Sequence, residues 1–197
     1  MTDILVVYYS SNGATEALAR EVSHGIDSVA GMASRLRTVP QVSAVSEAVQ
    51  SDIPESGPPY ATPKDLAECA GLVMGSPTRF GNMDASLKYF IDSTVSEWAS
   101  GAAIGKPAAV FTSTSSLHGG QESTLLTMAI PLIHHGMLYV GIPWAEGALS
   151  TTTTGGTPYG ASHVSWSRSP DELSDEERVL ARALGKRVAE TAKQLDF

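Results

Sequence analysis

Short, wholly apolar runs alternate along this chain with longer stretches in which apolar residues recur every third or fourth position. Ile4-Leu5-Val6-Val7-Tyr8-Tyr9 is apolar throughout and bounded by turn formers, which predicts a strand buried on both faces. Ala14, Leu18, Val22, Ile26 and Val29 then fall at helical spacing. The alternation repeats. Strands are predicted over residues 33–39, 71–75, 106–111 and 137–142. Helices are predicted from Pro63 to about Cys69, and from Asp84 onward with Leu87, Ile91, Val95 and Trp98 on one stripe. A further helix spans about 121–135, interrupted or kinked near Pro131, and the last follows a capping box of Ser174 and Glu177. Strands alternating with helices require a mostly parallel sheet covered on both faces. Five strands fit a doubly wound α/β sheet of order 2-1-3-4-5 in one domain, with insertions at about 41–63 and 143–165.

In that order the tips of strands 1, 3 and 4 line one crevice at the carboxyl edge of the sheet. All three exit loops are rich in hydroxyls and glycine. The first is Ser10-Ser11-Asn12-Gly13-Ala14-Thr15; the others begin at Ser76 and Thr112. A strand-to-helix turn offers unpaired backbone N–H groups and a positive dipole end, so the first loop reads as a phosphate cradle, or as a turn whose serines and Asn12 cap the helix. It lacks the Gly-Lys-Ser/Thr of a triphosphate loop and the G-x-G-x-x-G of a dinucleotide fold. A hydroxyl-rich loop without a cation suits one terminal phosphate monoester, as in flavin mononucleotide.

Composition narrows the picture further. The formal net charge of −8 argues against a nucleic-acid partner. The lone Cys69 excludes an internal disulfide and reads as a buried structural thiol. No apolar stretch has the length of a membrane span or a signal segment, so no stable membrane insertion and a cytoplasmic location are expected. His24 and His163 receive no role. Glu172, Asp175, Glu176 and Glu177 read as carboxylates favouring a helix dipole.

The three loops, with Gly75-Ser76-Pro77-Thr78-Arg79-Phe80-Gly81-Asn82-Met83 foremost, resemble the WrbA family of flavoprotein quinone reductases. Trp98-Ala99-Ser100-Gly101, Gly119-Gly120-Gln121-Glu122, His134-His135-Gly136-Met137 and Gly155-Gly156-Thr157-Pro158-Tyr159-Gly160 extend the likeness from first strand to last helix. The resemblance implies a flavodoxin-like fold, FMN as cofactor, NADH or NADPH as electron donor, a quinone as two-electron acceptor, and a homotetramer. It implies that Ser10, Ser11, Asn12, Gly13, Ala14 and Thr15 hold the FMN phosphate. Pro77, Thr78, Arg79 and Phe80 would lie along the ring system, with Ser113, Thr114, Ser115, Ser116, Leu117, His118 and Gly119 on its other side. His134 would sit near the flavin and Trp98 would cover the quinone, although by pattern alone Trp98 belongs to a core stripe. Asn12 stands where relatives often carry a tyrosine that meets the nicotinamide nucleotide. No side-chain acid, base or metal is required, because the flavin carries the hydride chemistry. The alternative is a flavodoxin-type one-electron carrier with protein redox partners, which would need an exposed flavin edge.

Overall fold

A computed structural model describes residues 2–42, 54–165, 169 and 171–197 of the chain. Its centre is β1 (Thr2–Tyr8), where Ile4, Leu5, Val6 and Val7 are all buried. Alternate residues serve opposite layers. Ile4, Val6 and Tyr8 pack with α1 (Ala14–Asp27) and α7 (Asp175–Gln194). Leu5 and Val7 pack on the other side with residues of α2 (Pro63–Glu68), α3 (Ala85–Asp92) and α5 (Gln121–His134). Both faces are therefore covered, as the unbroken apolar run requires.

β1 pairs in parallel with β2 (Met32–Thr38) on one side and β3 (Gly71–Pro77) on the other. β3 pairs with β4 (Pro107–Thr114), and the order is β2-β1-β3-β4-β5. The fifth position is split, which the sequence did not foretell. β5 (Leu138–Tyr139) pairs with Pro107 and Ala108, whereas β6 (Ala161–Val164) pairs with Phe111, Thr112, Ser113 and Thr114. β3 occupies the other edge of β4, so β5 and β6 share the one that remains.

The strand expected over 137–142 thus shortens to two residues, and a sixth strand closes the stretch expected as an insertion to 165. The cause lies at Gly141. A Cβ there would stand 2.2 Å from the Pro158 carbonyl oxygen, and the Ile142 N–H donates to that same oxygen over 2.9 Å. The chain leaves the sheet, carries α6 (Ala148–Thr151), and returns through this neck.

The helix expected from Asp84 through Trp98 breaks into α3 and α4 (Val95–Ser100). At the break, Ser93 Oγ donates to the Phe90 carbonyl over 2.6 Å and Thr94 Oγ1 to that of Ile91 over 2.7 Å. Such hydroxyls offer the backbone an alternative to the helical ladder. The predicted stripe ends there: Leu87 is buried, while Val95 and Trp98 are 62% and 53% exposed. α5, by contrast, is one unbroken element through Pro131. Of the first expected insertion, residues 43–53 lie outside the described residues.

Candidate functional site

The exit of β1 is shaped by Gly13, whose φ of 87° is open to glycine at little cost. Ser10 Oγ folds back under the turn and accepts from the Gly13 N–H over 3.1 Å and the Glu16 N–H over 3.4 Å. The first helical bond runs from Ala17 N–H to the Gly13 carbonyl. Among the described residues, the amides of Ala14 and Thr15 are left without a protein acceptor. Thr15 Oγ1 lies 2.9 Å from Ser113 Oγ, both buried, which ties the first turn of α1 to the tip of β4.

The exit of β3 is a hairpin-like turn. The Arg79 N–H donates to the Asn82 carbonyl over 2.7 Å and the Asn82 N–H returns a 3.0 Å bond. Phe80 and Gly81 between them have φ of 53° and 75°, as a type I′ turn demands. Phe80 adopts this conformation with its ring fully exposed. The Arg79 guanidinium spans two loops, donating through Nη2 to Ser11 Oγ over 2.9 Å and pairing through Nε with Asp84 Oδ2 at 3.1 Å. The exit of β4 closes on itself, with Thr114 Oγ1 donating to the Ser116 carbonyl and His118 at φ 57°. Gly120 brings this loop against the previous one, since a Cβ there would lie 3.1 Å from Gly81 Cα.

A cavity of about 150 Å³ opens where the loops meet. Ser10, Ser11, Asn12, Ala14 and Thr15 line it from β1, Pro77, Thr78 and Arg79 from β3, and Ser113, Thr114 and Ser115 from β4. Ser165, just past β6, is a fourth contribution that the sequence reading missed. Gly13 sets the turn behind this lining, while Phe80, Ser116, Leu117, His118 and Gly119 stand outside it.

The sequence pattern of the family described as NADPH-dependent FMN reductase matches residues 2–148. The chain belongs to this family. A curated relative from Chromohalobacter salexigens, named NAD(P)H dehydrogenase (quinone), is 41% identical over 199 residues, covering 99% of each chain. Among solved structures, a WrbA-like flavodoxin from Agrobacterium tumefaciens superposes with a TM-score of 0.69 at 23% identity, over 98% of this chain and 99% of that one. A flavodoxin from the domain Archaea superposes with a TM-score of 0.64 at 20% identity, over 98% and 99% of the two chains. These likenesses place the chain in the flavodoxin-like fold.

The cofactor of the FMN reductase family can be tested against the cavity residue by residue. Among the described residues the lining holds no carboxylate, it carries hydroxyls from four separate segments, and the free amides of Ala14 and Thr15 stand at a helix N-terminus. That is the donor set of an anion site. A cavity of about 150 Å³ is below the usual size of a whole-ligand pocket. It has room for a phosphate ester, and a tricyclic ring must lie outside on the rim. On that rim, the Thr78, Arg79 and Gly119 amides are committed to the carbonyls of Ser113, Asn82 and Ser116. In the stretches 78–80 and 113–119, the amides of Phe80, Ser115, Ser116, Leu117 and His118 have no protein acceptor among the described residues. The residues fit the group.

Two expected site residues of this reductase chain lie elsewhere. α5 starts beside the cradle and its 14 residues carry His134 about 20 Å away. The neighbouring Gly136 carbonyl accepts from Gly105 N–H, and Leu138 N–H donates to the Lys106 carbonyl, so His134 sits at the amino edge of the sheet. Trp98 joins it there, with Nε1 donating to the His134 carbonyl over 2.8 Å. The two share a groove of about 360 Å³ with Ile91, Val95, Ile130 and His135. Burial and the nearby His134 lower the His135 pKa from its usual range, against the opposing pull of Glu97. Trp98 is thus not a core residue, as its spacing alone suggested.

The sequence reading also passed over a buried pair. His163 on β6 is fully buried, and its Nδ1 lies 2.8 Å from Glu177 Oε2. Glu177 is more than a dipole-facing carboxylate: its Oε1 accepts from the Gly155 and Val164 amides and its Oε2 from Ser174. Burial alone would raise its pKa, but the His163 ring and these amides hold it down at about 2. A capping box that follows the short strand Ala161-Ser162-His163-Val164 ten residues later gives no signal for such a pair. Cys69 is buried with a raised pKa, caused chiefly by burial.

Proposed function

We propose that the protein is an FMN-dependent oxidoreductase that passes two electrons from NADH or NADPH to quinones, acting in the cytoplasm as a homotetramer. The observation that carries this reading is the cavity at the three strand tips, lined by hydroxyls and free helix amides and, among the described residues, by no carboxylate. The curated relative that matches the whole chain bears the name of a quinone-dependent NAD(P)H dehydrogenase, which supports the reaction class. Among the described residues no helix is long and apolar enough to cross a membrane.

Bound FMN would supply the hydride chemistry between nicotinamide and quinone. The chain's own residues bind and orient. Residues 10–15 hold the phosphate through the amides of Ala14 and Thr15 and the hydroxyls around them. Thr78, Arg79 and Phe80 flank the ring on one side and residues 113–119 on the other. Free amides at Phe80 and at residues 115–118 are placed to stabilise negative charge that develops on the ring, as oxyanion-hole donors do. Trp98 and His134 lie at the opposite edge within one chain, so their contribution to quinone binding requires a second copy. The exposed Val95, Trp98, Ile130 and Ile133 around them give that copy an apolar surface to cover.

The test is direct. Protein reconstituted with FMN should oxidise NADH or NADPH slowly alone and rapidly once benzoquinone is added. Oxidation that benzoquinone does not accelerate would overturn the assignment.

A further inference from the structure

Beneath the cradle lies a titratable group that the reductase reading leaves unused. His163 pairs with Ser113 across the parallel β4–β6 ladder, on strands about 4.8 Å apart, so the two side chains stand side by side on one face of the sheet. Ser113 Oγ meets Thr15 Oγ1 at 2.9 Å, and both residues line the cavity, as does Ser165 two positions beyond His163. The His163 ring is wholly buried, and its Nε2 has no hydrogen-bond partner among the described residues.

The hydrogen bonds fix which ring atom is available. Glu177 accepts only, so the His163 Nδ1 facing it carries a hydrogen. The carboxylate also accepts from the amides of Gly155, Val164 and Ser174, so the ring shares it with three backbone donors. Nε2 is therefore the atom at which a proton comes or goes. Among the described residues the charges around it are few. β4 has no ionisable side chain, and His163 is the only one on β6. On α1, Glu16 pairs with Arg20 and Glu21 with Arg182; on α7, Arg178 also turns to Glu21. Of the loop after β6, Asp171 lies over Gly13. Arg79, a cation on the rim, is already engaged by Asp84.

We propose that His163 is the counter-charge of the cradle: seating a phosphate monoester over Ser113 and Thr15 draws one proton from solvent onto His163 Nε2. This rests on the reading that the cradle holds the flavin phosphate. The balance is simple, since the ring lone pair forms an N–H bond, the proton comes from the buffer, and the bound dianion gains a cation one residue layer away. Histidine is the side chain suited to such a change near neutral pH.

Calorimetric titration at pH 7.5 in Tris and in Pipes, whose ionisation enthalpies differ, reads the protons taken up per ligand bound. FMN should take up about one proton more than riboflavin, which lacks the phosphate. His163→Asn keeps an N–H toward Glu177 but cannot titrate. It should abolish the extra proton and weaken FMN about tenfold while leaving riboflavin unchanged. The phosphate's own ionisation is common to both proteins and cancels between them. FMN binding with equal proton uptake in wild type and His163→Asn, or equal uptake for FMN and riboflavin in the wild type, overturns the inference and spares the cradle. Wild-type protein that binds no FMN overturns both. Should His163→Asn fail to fold, His163→Gln takes its place in the same comparison with the wild type.

Discussion

Each edge of the sheet holds a histidine beside a glutamate, and the two pairs are finished differently. At the carboxyl edge, Glu177 is saturated by three amides and by His163, and the pair is sealed from solvent. At the amino edge, Glu97 Oε2 and His135 Nδ1 are both buried without a partner, and Trp98 stands exposed beside them. Buried polar groups are ordinarily satisfied. In the carboxyl-edge pair only the His163 Nε2 lacks a partner among the described residues, whereas at the amino edge a carboxylate oxygen and a ring nitrogen both lack one beside an exposed tryptophan.

The largest expected effect breaks the first half of this contrast. The folded-state pKa of Glu177 is held at about 2, below its unfolded value near 4.5, so its contribution is fully present above pH 4.5 and is lost as pH falls towards 2. Glu177→Gln should cost on the order of 3 kcal/mol at pH 7 in urea melts and flatten the acid limb across that window. An unchanged acid limb would show that the pair is not the anchor of this edge. Next, Gly13→Val forces a β-branched residue to a φ of 87° and should weaken FMN by about a hundredfold in fluorescence titration, with assembly unaltered.

Trp98→Ala addresses the other edge. It should lower kcat/KM for benzoquinone about tenfold and shift sedimentation towards smaller species, while FMN affinity moves less than about twofold. Loss of FMN instead would place Trp98 in the cofactor site of its own chain. The smallest effect belongs to Asp171, a carboxylate whose Cβ lies 3.6 Å from where a Cβ on Gly13 would stand. Asp171→Asn should tighten FMN about twofold at low salt and have no effect at high salt, where exposed charges are screened.

The layout of the carboxyl edge was legible in the sequence because strand tips advertise themselves. An apolar run that ends in Ser10-Ser11-Asn12-Gly13 changes hydrophobicity, side-chain size and backbone freedom within four residues. The amino edge was not legible. Helical spacing says which face a residue occupies but not which end of the helix it stands at, so His134 read as near the cradle although α5 carries it away. Nor does spacing report that Ser93 and Thr94 turn their hydroxyls onto backbone carbonyls and end the stripe before Trp98. β6 escaped notice for a third reason. Four residues following a run of threonines and glycines are too few for periodicity, and their pairing with β4 is decided by a contact between Gly141 and Pro158 that lie far apart along the chain.

The claim on which the rest stands is that strand tips at the carboxyl edge grip a phosphate monoester through backbone amides and hydroxyls. Dissociation constants of FMN and riboflavin, measured by flavin fluorescence on one preparation, test it without any variant. FMN should bind at least about a hundredfold more tightly than riboflavin, the worth of two or more charge-assisted hydrogen bonds. Equal affinities for the two flavins would contradict it.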